Sequence, residues 1–259
     1  MDFLIQIYEV QTPDEAEALI NVGVDHIGSV LMAPDCKEGD ALSETLAFVA
    51  SCGKKSSLIP LFRDPDLISN ALDHYRPDIV HFCDMLTENR LSTSNAAFER
   101  QKIIRNRFPE IQLMRSIPIA QAGLADRVPT LDIAEMFEPI SDFFLTDTLL
   151  VSDTRDVEAH QPVDGFIGIT GTTCDWDMAS SLVAASEIPV ILAGGISTEN
   201  VLDGLSRVRP AGVDSCTLTN EVAGDGKPIR FKKDMEKVKL LVDRVRRNDH
   251  HNIIEPEEQ

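Results

Sequence analysis

The stretch Ile188–Glu221 reads IPVILAGGISTENVLDGLSRVRPAGVDSCTLTNE. An apolar run, Ile188-Pro189-Val190-Ile191-Leu192, stops at Gly194-Gly195. Ser197-Thr198-Glu199-Asn200 then supplies the start of an amphipathic helix, and Gly212-Val213-Asp214-Ser215-Cys216 reads as a second short strand. Strand, glycine turn, helix and strand in about thirty residues make one βαβ unit. Glycines in such a turn leave backbone N–H groups free to face an anion, and the helix N-terminus adds its dipole.

Working outward, short apolar runs that end in polar or small residues recur along the chain. They are Phe3–Tyr8, His26–Leu31, Ser57–Phe62, Ile79–Cys83, Gln112–Ile117, Asp142–Thr146, Val190–Ala193 and Val213–Thr217. Helical patterns lie between most of them. Thr12-Pro13-Asp14-Glu15 combines an N-cap residue, proline at the first helical position and acids in the first turn. Pro65-Asp66 and Asp175-Trp176-Asp177-Met178 open two more helices, and Met235–Arg247 is expected to form the last. Alternating strands and helices predict a parallel sheet, and eight repeats of that alternation predict closure into a single (β/α)8 TIM barrel over residues 1–247. In that fold the last βαβ unit builds a phosphate site. The polar tail 248–259 is expected to be disordered.

The chain has 259 residues, 43% of them apolar, enough for one large core. Its net charge of −19 argues against a nucleic-acid partner, which needs clustered Lys and Arg. Any phosphate it binds must meet a local positive potential. Five cysteines, none in a CxxC pair, and a strand-like N-terminus predict reduced thiols in the cytoplasm. No apolar run approaches the roughly 18 residues of a membrane span. The polar segment Thr148–Gly165 reads either as a surface insertion or as a lid over the barrel mouth.

Catalytic groups of such barrels stand at the C-terminal ends of strands. Here those ends offer Tyr8 and Glu9, Lys37 in the second loop, Arg63 and Asp64, His81, Cys83 and Asp84, Arg115, Asp147, Gly194-Gly195 and Cys216-Thr217. No lysine lies on a strand end itself, which argues against a Schiff-base aldolase. One histidine near such an end does not make a His/Asp zinc cluster, and no GxGxxG dinucleotide fingerprint occurs.

From Gln6 to about Arg246 the chain resembles the phosphoribosylanthranilate isomerases. Gln6-Ile7-Tyr8-Glu9 and Thr12-Pro13-Asp14-Glu15-Ala16 are similar to the family's KICG strand and T-x-x-E-D-A helix start. Val22–Gly28 is similar to AGADAIG, Asp78–Cys83 to D-x-V-Q-L-H, Phe144–Thr148 to FLLDT, and Gly168–Trp176 to GGTGKTFDW. LAGGIS-TENV is close to LAGGLTPENV, and RPAGVDSCTLTNE to RPYGVDVSSGVE. The order of these matches is the signal, since each alone is weak.

The resemblance implies an Amadori rearrangement of an aminoaldose phosphate, a step of tryptophan biosynthesis, without metal or coenzyme. It places the general acid at Asp147. The family's base is the cysteine of KICG, and here that position holds Tyr8, followed by Glu9 in place of glycine. A phenol has a reference pKa near 10 against about 8.5 for a thiol. Three readings stay open: Tyr8 is an activated base, another group such as Glu9, Cys83 or Cys36 replaces it, or the reaction has changed. Lys37 stands nearest the family's arginine for the anthranilate carboxylate, with Arg115 as the other candidate. His81 and Cys83 are further candidates for substrate contact, and the backbones of Gly194, Gly195, Cys216 and Thr217 for phosphate. Leu218 replaces a family glycine, where its Cβ is expected to hinder a positive φ.

Plainer roles compete with these. Tyr8 can plug the barrel, His81 can be a satisfied core histidine, and Arg115 can pair with Asp147 or Asp84. The alternative functions are a catalytically silent, phosphate-binding barrel and a metal-free isomerase or lyase acting on another phosphate. The expected partner is a small phosphorylated metabolite, and the chain a monomer or homodimer.

Overall fold

The computed structural model describes residues 3–35, 39–87, 91–151 and 161–251. Eight parallel strands close into a barrel in sequence order: β1 Leu4–Ile7, β2 His26–Leu31, β3 Lys55–Pro60, β4 Ile79–Phe82, β5 Gln112–Ala120, β6 Phe143–Leu149, β7 Val190–Leu192 and β8 Gly212–Ser215. The ring is completed by β8 against β1, with Gln6 beside Asp214 and Ile7 beside Ser215. All eight expected strands are present; β5 and β6 run three residues beyond their expected ends.

Helices α1 Pro13–Asn21, α2 Ala41–Ser51, α3 Pro65–Tyr75, α4 Leu91–Arg107, α5 Thr130–Phe137, α6 Trp176–Ala185, α7 Val201–Val208 and α8 Met235–His251 follow the strands in turn. Their starts obey the local chemistry. The Thr12 hydroxyl accepts the Glu15 N–H, and the carboxylates of Asp40, Asp64 and Asp175 cap α2, α3 and α6. Helix α8 extends four residues past its expected end at Arg247, into the segment read as tail. No helix among the described residues is long and apolar enough to cross a membrane.

Successive strand residues point to opposite faces. The outward face of the barrel packs Ile5, Ile7, Phe144, Leu192 and Val213 against Leu19, Val201 and Leu241 of the helices. The inward face carries Tyr8, Ile79, Met114, Leu145 and Ile191, with Gln6, Ser57, His81 and Asp214 among them. This parity decides which strand-end side chains reach the mouth.

One element has no counterpart in the sequence reading. After β8, a two-stranded antiparallel hairpin, β9 Asn220–Val222 and β10 Pro228–Lys233, stands beside the mouth and leads into α8.

Candidate active site

The C-terminal end of the barrel opens into a mouth lined by side chains of β1, β4, β6 and β8 and by the glycine turn after β7. Its floor is Tyr8. The ring crosses from β1 over Gly28, where any Cβ would overlap it. The hydroxyl lies 2.5 Å from Ser57 Oγ and 2.7 Å from His81 Nδ1, and His81 Nε2 lies 2.7 Å from Ser116 Oγ. Burial pushes the Tyr8 phenol well above its usual pKa, and the charge of Asp214 adds to this against the Ser57 hydrogen bond. Burial, with the charge of Arg115, lowers His81 to about 3 and keeps it neutral. Tyr8 thus plugs the barrel, and both ring nitrogens of His81 are engaged within the floor. Neither is placed as a ready base.

Glu9 follows at φ 65°, a conformation that glycine adopts without strain. Its side chain is buried, and Oε1 accepts from Arg230 Nε at 2.6 Å. Asn220 also reaches it, at 3.5 Å. Glu9 is therefore locked to the hairpin, and the expectation that it serves as a base does not fit this geometry. Arg230, which sequence reasoning missed, lines the mouth.

Asp147 stands at the end of β6, half-buried and reachable from the mouth. Oδ1 accepts the Thr148 N–H at 2.9 Å, and Gly168, at φ 114°, leaves room for Oδ2, which a Cβ there would approach to 2.7 Å. Loss of hydration raises its carboxyl to about 7 against the Thr148 hydrogen bond. Asp214, on the inward face of β8, is also raised to about 7, by burial and by the charge of Asp147. It was not singled out from sequence, although it lies two residues before Cys216 and so shares its face.

Cys83 and Cys216 also line the mouth, but burial raises both thiols far above their usual range, disfavouring thiolates. Arg115 does not reach the mouth. Its neighbours Met114 and Ser116 point inward, so it points out, stacked on Phe82 and Phe137 and bonded to Gln101 Oε1 and Asp84 Oδ2 at 2.8 and 3.0 Å. Its expected role in binding a substrate carboxylate gives way to pairing with Asp84. That carboxylate is held below its usual pKa by Arg115 and Arg100 despite burial. Lys37 and Cys36 lie outside the described residues.

The opposite lip is built from backbone. Gly194 and Gly195 turn at φ 84° and 61°, and a Cβ on Gly195 would lie 2.6 Å from the Thr172 carbonyl carbon. Cys216 and Thr217 lead into a single 3-10 turn, Thr217–Thr219. That turn gives Leu218 a helical conformation, so the expected obstacle of a Cβ at positive φ does not arise. Among the described residues, the N–H groups of Gly194, Gly195, Thr217 and Leu218 donate to no other group. Behind them, buried Lys233 donates to Cys216 O at 3.0 Å and to Asn220 Oδ1 at 2.5 Å. With Arg230 it supplies local positive charge in an acidic chain.

Of the segment Thr148–Gly165, residues 152–160 lie outside the described residues. Its return is fastened to the barrel rim: Gly165 O accepts from Met85 N and from Arg63 Nη2, and Ile167 N donates to Cys83 O. Among the described residues, no group of three or more His, Cys, Asp or Glu is placed to hold a metal ion.

Residues 119–244 match the family model described as N-(5'phosphoribosyl)anthranilate (PRA) isomerase. The N-(5'-phosphoribosyl)anthranilate isomerase of Methanocella arvoryzae is 24% identical over 245 residues, 93% of this chain and 97% of that one. That of Haloferax volcanii is 38% identical over 101 residues, 38% of this chain and 40% of that one. The crystal structure of phosphoribosyl anthranilate isomerase from Thermotoga maritima covers 94% of this chain and 98% of its own, at TM-score 0.63 and 16% identity. A phosphoribosyl anthranilate isomerase in complex with reduced 1-(o-carboxyphenylamino)-1-deoxyribulose 5-phosphate superposes at TM-score 0.62 and 14% identity, with the same coverage. A thiamine phosphate pyrophosphorylase from Pyrococcus furiosus also reaches 0.55, at 14% identity, so likeness of fold alone does not choose the chemistry.

Proposed function

We propose that the chain, which is similar to N-(5'-phosphoribosyl)anthranilate isomerases along 93% of its length, converts phosphoribosylanthranilate to the aminoketose phosphate by an Amadori rearrangement. The observation that carries this reading is Asp147: a carboxyl raised to about 7, in the same mouth as a lip of backbone N–H groups that have no partner among the described residues. An acid near neutrality is what ring opening requires. Asp147 gives its proton to the furanose oxygen, and the C1′–O bond breaks as the nitrogen pair forms C1′=N.

The lip of Gly194, Gly195, Thr217 and Leu218 holds the phosphate, with the charge of Lys233 behind it. Backbone N–H groups left without internal acceptors are the donors of an anion nest. The anthranilate carboxylate needs a cation on the other side. Lys37 keeps that role as proposed from sequence, and Arg230 shares it from the hairpin. The four described cysteines, Cys52, Cys83, Cys174 and Cys216, are free, which fits a reducing, cytoplasmic setting.

The test is growth. A tryptophan auxotroph lacking only this isomerase should grow without tryptophan when it expresses the chain, and should not grow with Asp147→Asn. Abundant soluble protein without growth would contradict the reading and favour a silent, phosphate-binding barrel.

A further inference from the structure

The mouth lacks the thiol that this family uses as a base, and the rearrangement still requires one. We propose that Asp214 takes the C2′ proton, from strand β8, in place of the group the family carries on β1 at the position of Tyr8. The proposal rests on the isomerase reading.

Geometry removes the alternatives one at a time. The Tyr8 hydroxyl is held between Ser57 and His81. Glu9 is bonded to Arg230. The thiols of Cys83 and Cys216 are buried where a thiolate is disfavoured. Asp214 remains. It lines the mouth. Its backbone stands beside Gln6, the position two residues before Tyr8 on the same face of β1. Oδ1 accepts from Gln6 Nε2 at 3.1 Å, and Gln6 is itself fixed by His26 Nδ1 at 3.2 Å. Among the described residues Oδ2 accepts no hydrogen bond. The carboxylate is thus oriented through one oxygen and free at the other, as a general base needs to be.

The charges around it agree. Asp147 faces Asp214 from β6, Gln6 supports it from β1, and Lys233 acts from β10; Tyr8 and Cys216 flank it uncharged. Both carboxyls are raised to about 7, Asp214 in part by the charge of Asp147, so the two titrate as a pair. The reaction starts from the form of that pair in which Asp147 holds the proton and Asp214 is ionised.

The protons balance. After Asp147 has opened the ring, the Asp214 carboxylate removes the C2′ proton. The C–H pair forms C1′=C2′, and the π pair of C1′=N returns to nitrogen. Asp214 then delivers its proton to C1′, while the C2′ hydroxyl returns a proton to Asp147 and becomes the ketone. Both carboxyls end as they began.

The experiment compares Asp214→Asn with wild type, using phosphoribosylanthranilate for turnover and the reduced carboxyphenylamino-deoxyribulose 5-phosphate for binding. Asn should lower kcat by at least about 10²-fold, within the range for a lost general base, and keep analogue affinity within about threefold. Tyr8→Phe, which keeps the ring, should lower kcat by less than tenfold. Active wild type with Asp214→Asn within threefold of it would overturn the proposal and leave the isomerase intact. So would a hundredfold loss in Tyr8→Phe, whatever Asp214→Asn does. Wild type that binds the analogue but does not turn over would overturn the isomerase reading itself, and this proposal with it.

Discussion

The two lips of the mouth solve different problems. The β7–β8 lip is all backbone: two glycines at positive φ, a short 3-10 turn, and N–H groups without partners among the described residues. It takes its shape from close packing, Gly194 against Thr148 and Gly195 against Thr172. The β1 lip is all side chain: a buried tyrosine over Gly28, and a glutamate at φ 65° tied to an arginine from the hairpin. Backbone lips tolerate little change, because a Cβ has nowhere to go. Side-chain lips can be rewritten, since only the space must be refilled and the charges repaired. Tyr8, at the position where the resemblance implies a thiol, stands on the lip that can be rewritten.

Substitutions should separate the lips, and the largest effect belongs to Gly195→Ala. It adds a Cβ within 2.6 Å of the Thr172 backbone at positive φ. It should cost about 2 kcal/mol or more of stability and weaken binding of the phosphate analogue at least tenfold, read by thermal unfolding and calorimetry. Next is Tyr8→Cys. Removing the ring leaves a cavity and orphans Ser57 and His81, at a cost of about 2–4 kcal/mol, yet analogue affinity should fall no more than threefold. If Tyr8→Cys weakened binding as much as Gly195→Ala, the lips would not be independent.

A smaller effect concerns pH. A carboxyl with a raised folded pKa holds its proton in the folded chain where the unfolded chain has already released it. Its stabilising share is therefore full below the unfolded value near 4 and declines until about 7, where the folded group ionises. Asp214→Asn and Asp147→Asn should each raise stability at pH 8 by at least about 1 kcal/mol relative to their effect at pH 4, measured by urea unfolding at both values. Equal effects at the two pH values would show that the carboxyls are ordinarily solvated. The smallest effect is that of Glu9→Gly. Relief of the positive φ, about 1 kcal/mol, should nearly offset the lost pair with Arg230, so stability should change by less than about 1 kcal/mol while anion affinity rises at low salt.

Much of this is legible in the sequence alone. The glycine pair, the strand count and the FLTDT strand are local patterns, and local patterns survive into the fold. Asp147 and the β7–β8 cradle follow from them. Arg115 did not, because a strand end shows which residues are near the mouth and only parity shows which face it. Met114 and Ser116 point inward, and the residue between them points out. The same parity would have drawn attention to Asp214 through Cys216. Arg230 lay beyond this reasoning. It reaches Glu9 through a hairpin whose register is irregular between Pro228 and Lys233, and no alternation in the sequence marks it.

The most direct measurement is turnover of freshly generated phosphoribosylanthranilate by the purified protein, followed as loss of anthranilate fluorescence, with Asp147→Asn beside it. The account predicts saturable turnover in the wild type and a fall of at least about 10²-fold in the variant. Wild-type protein that is folded and binds the phosphate analogue, yet leaves the fluorescence unchanged, would contradict it.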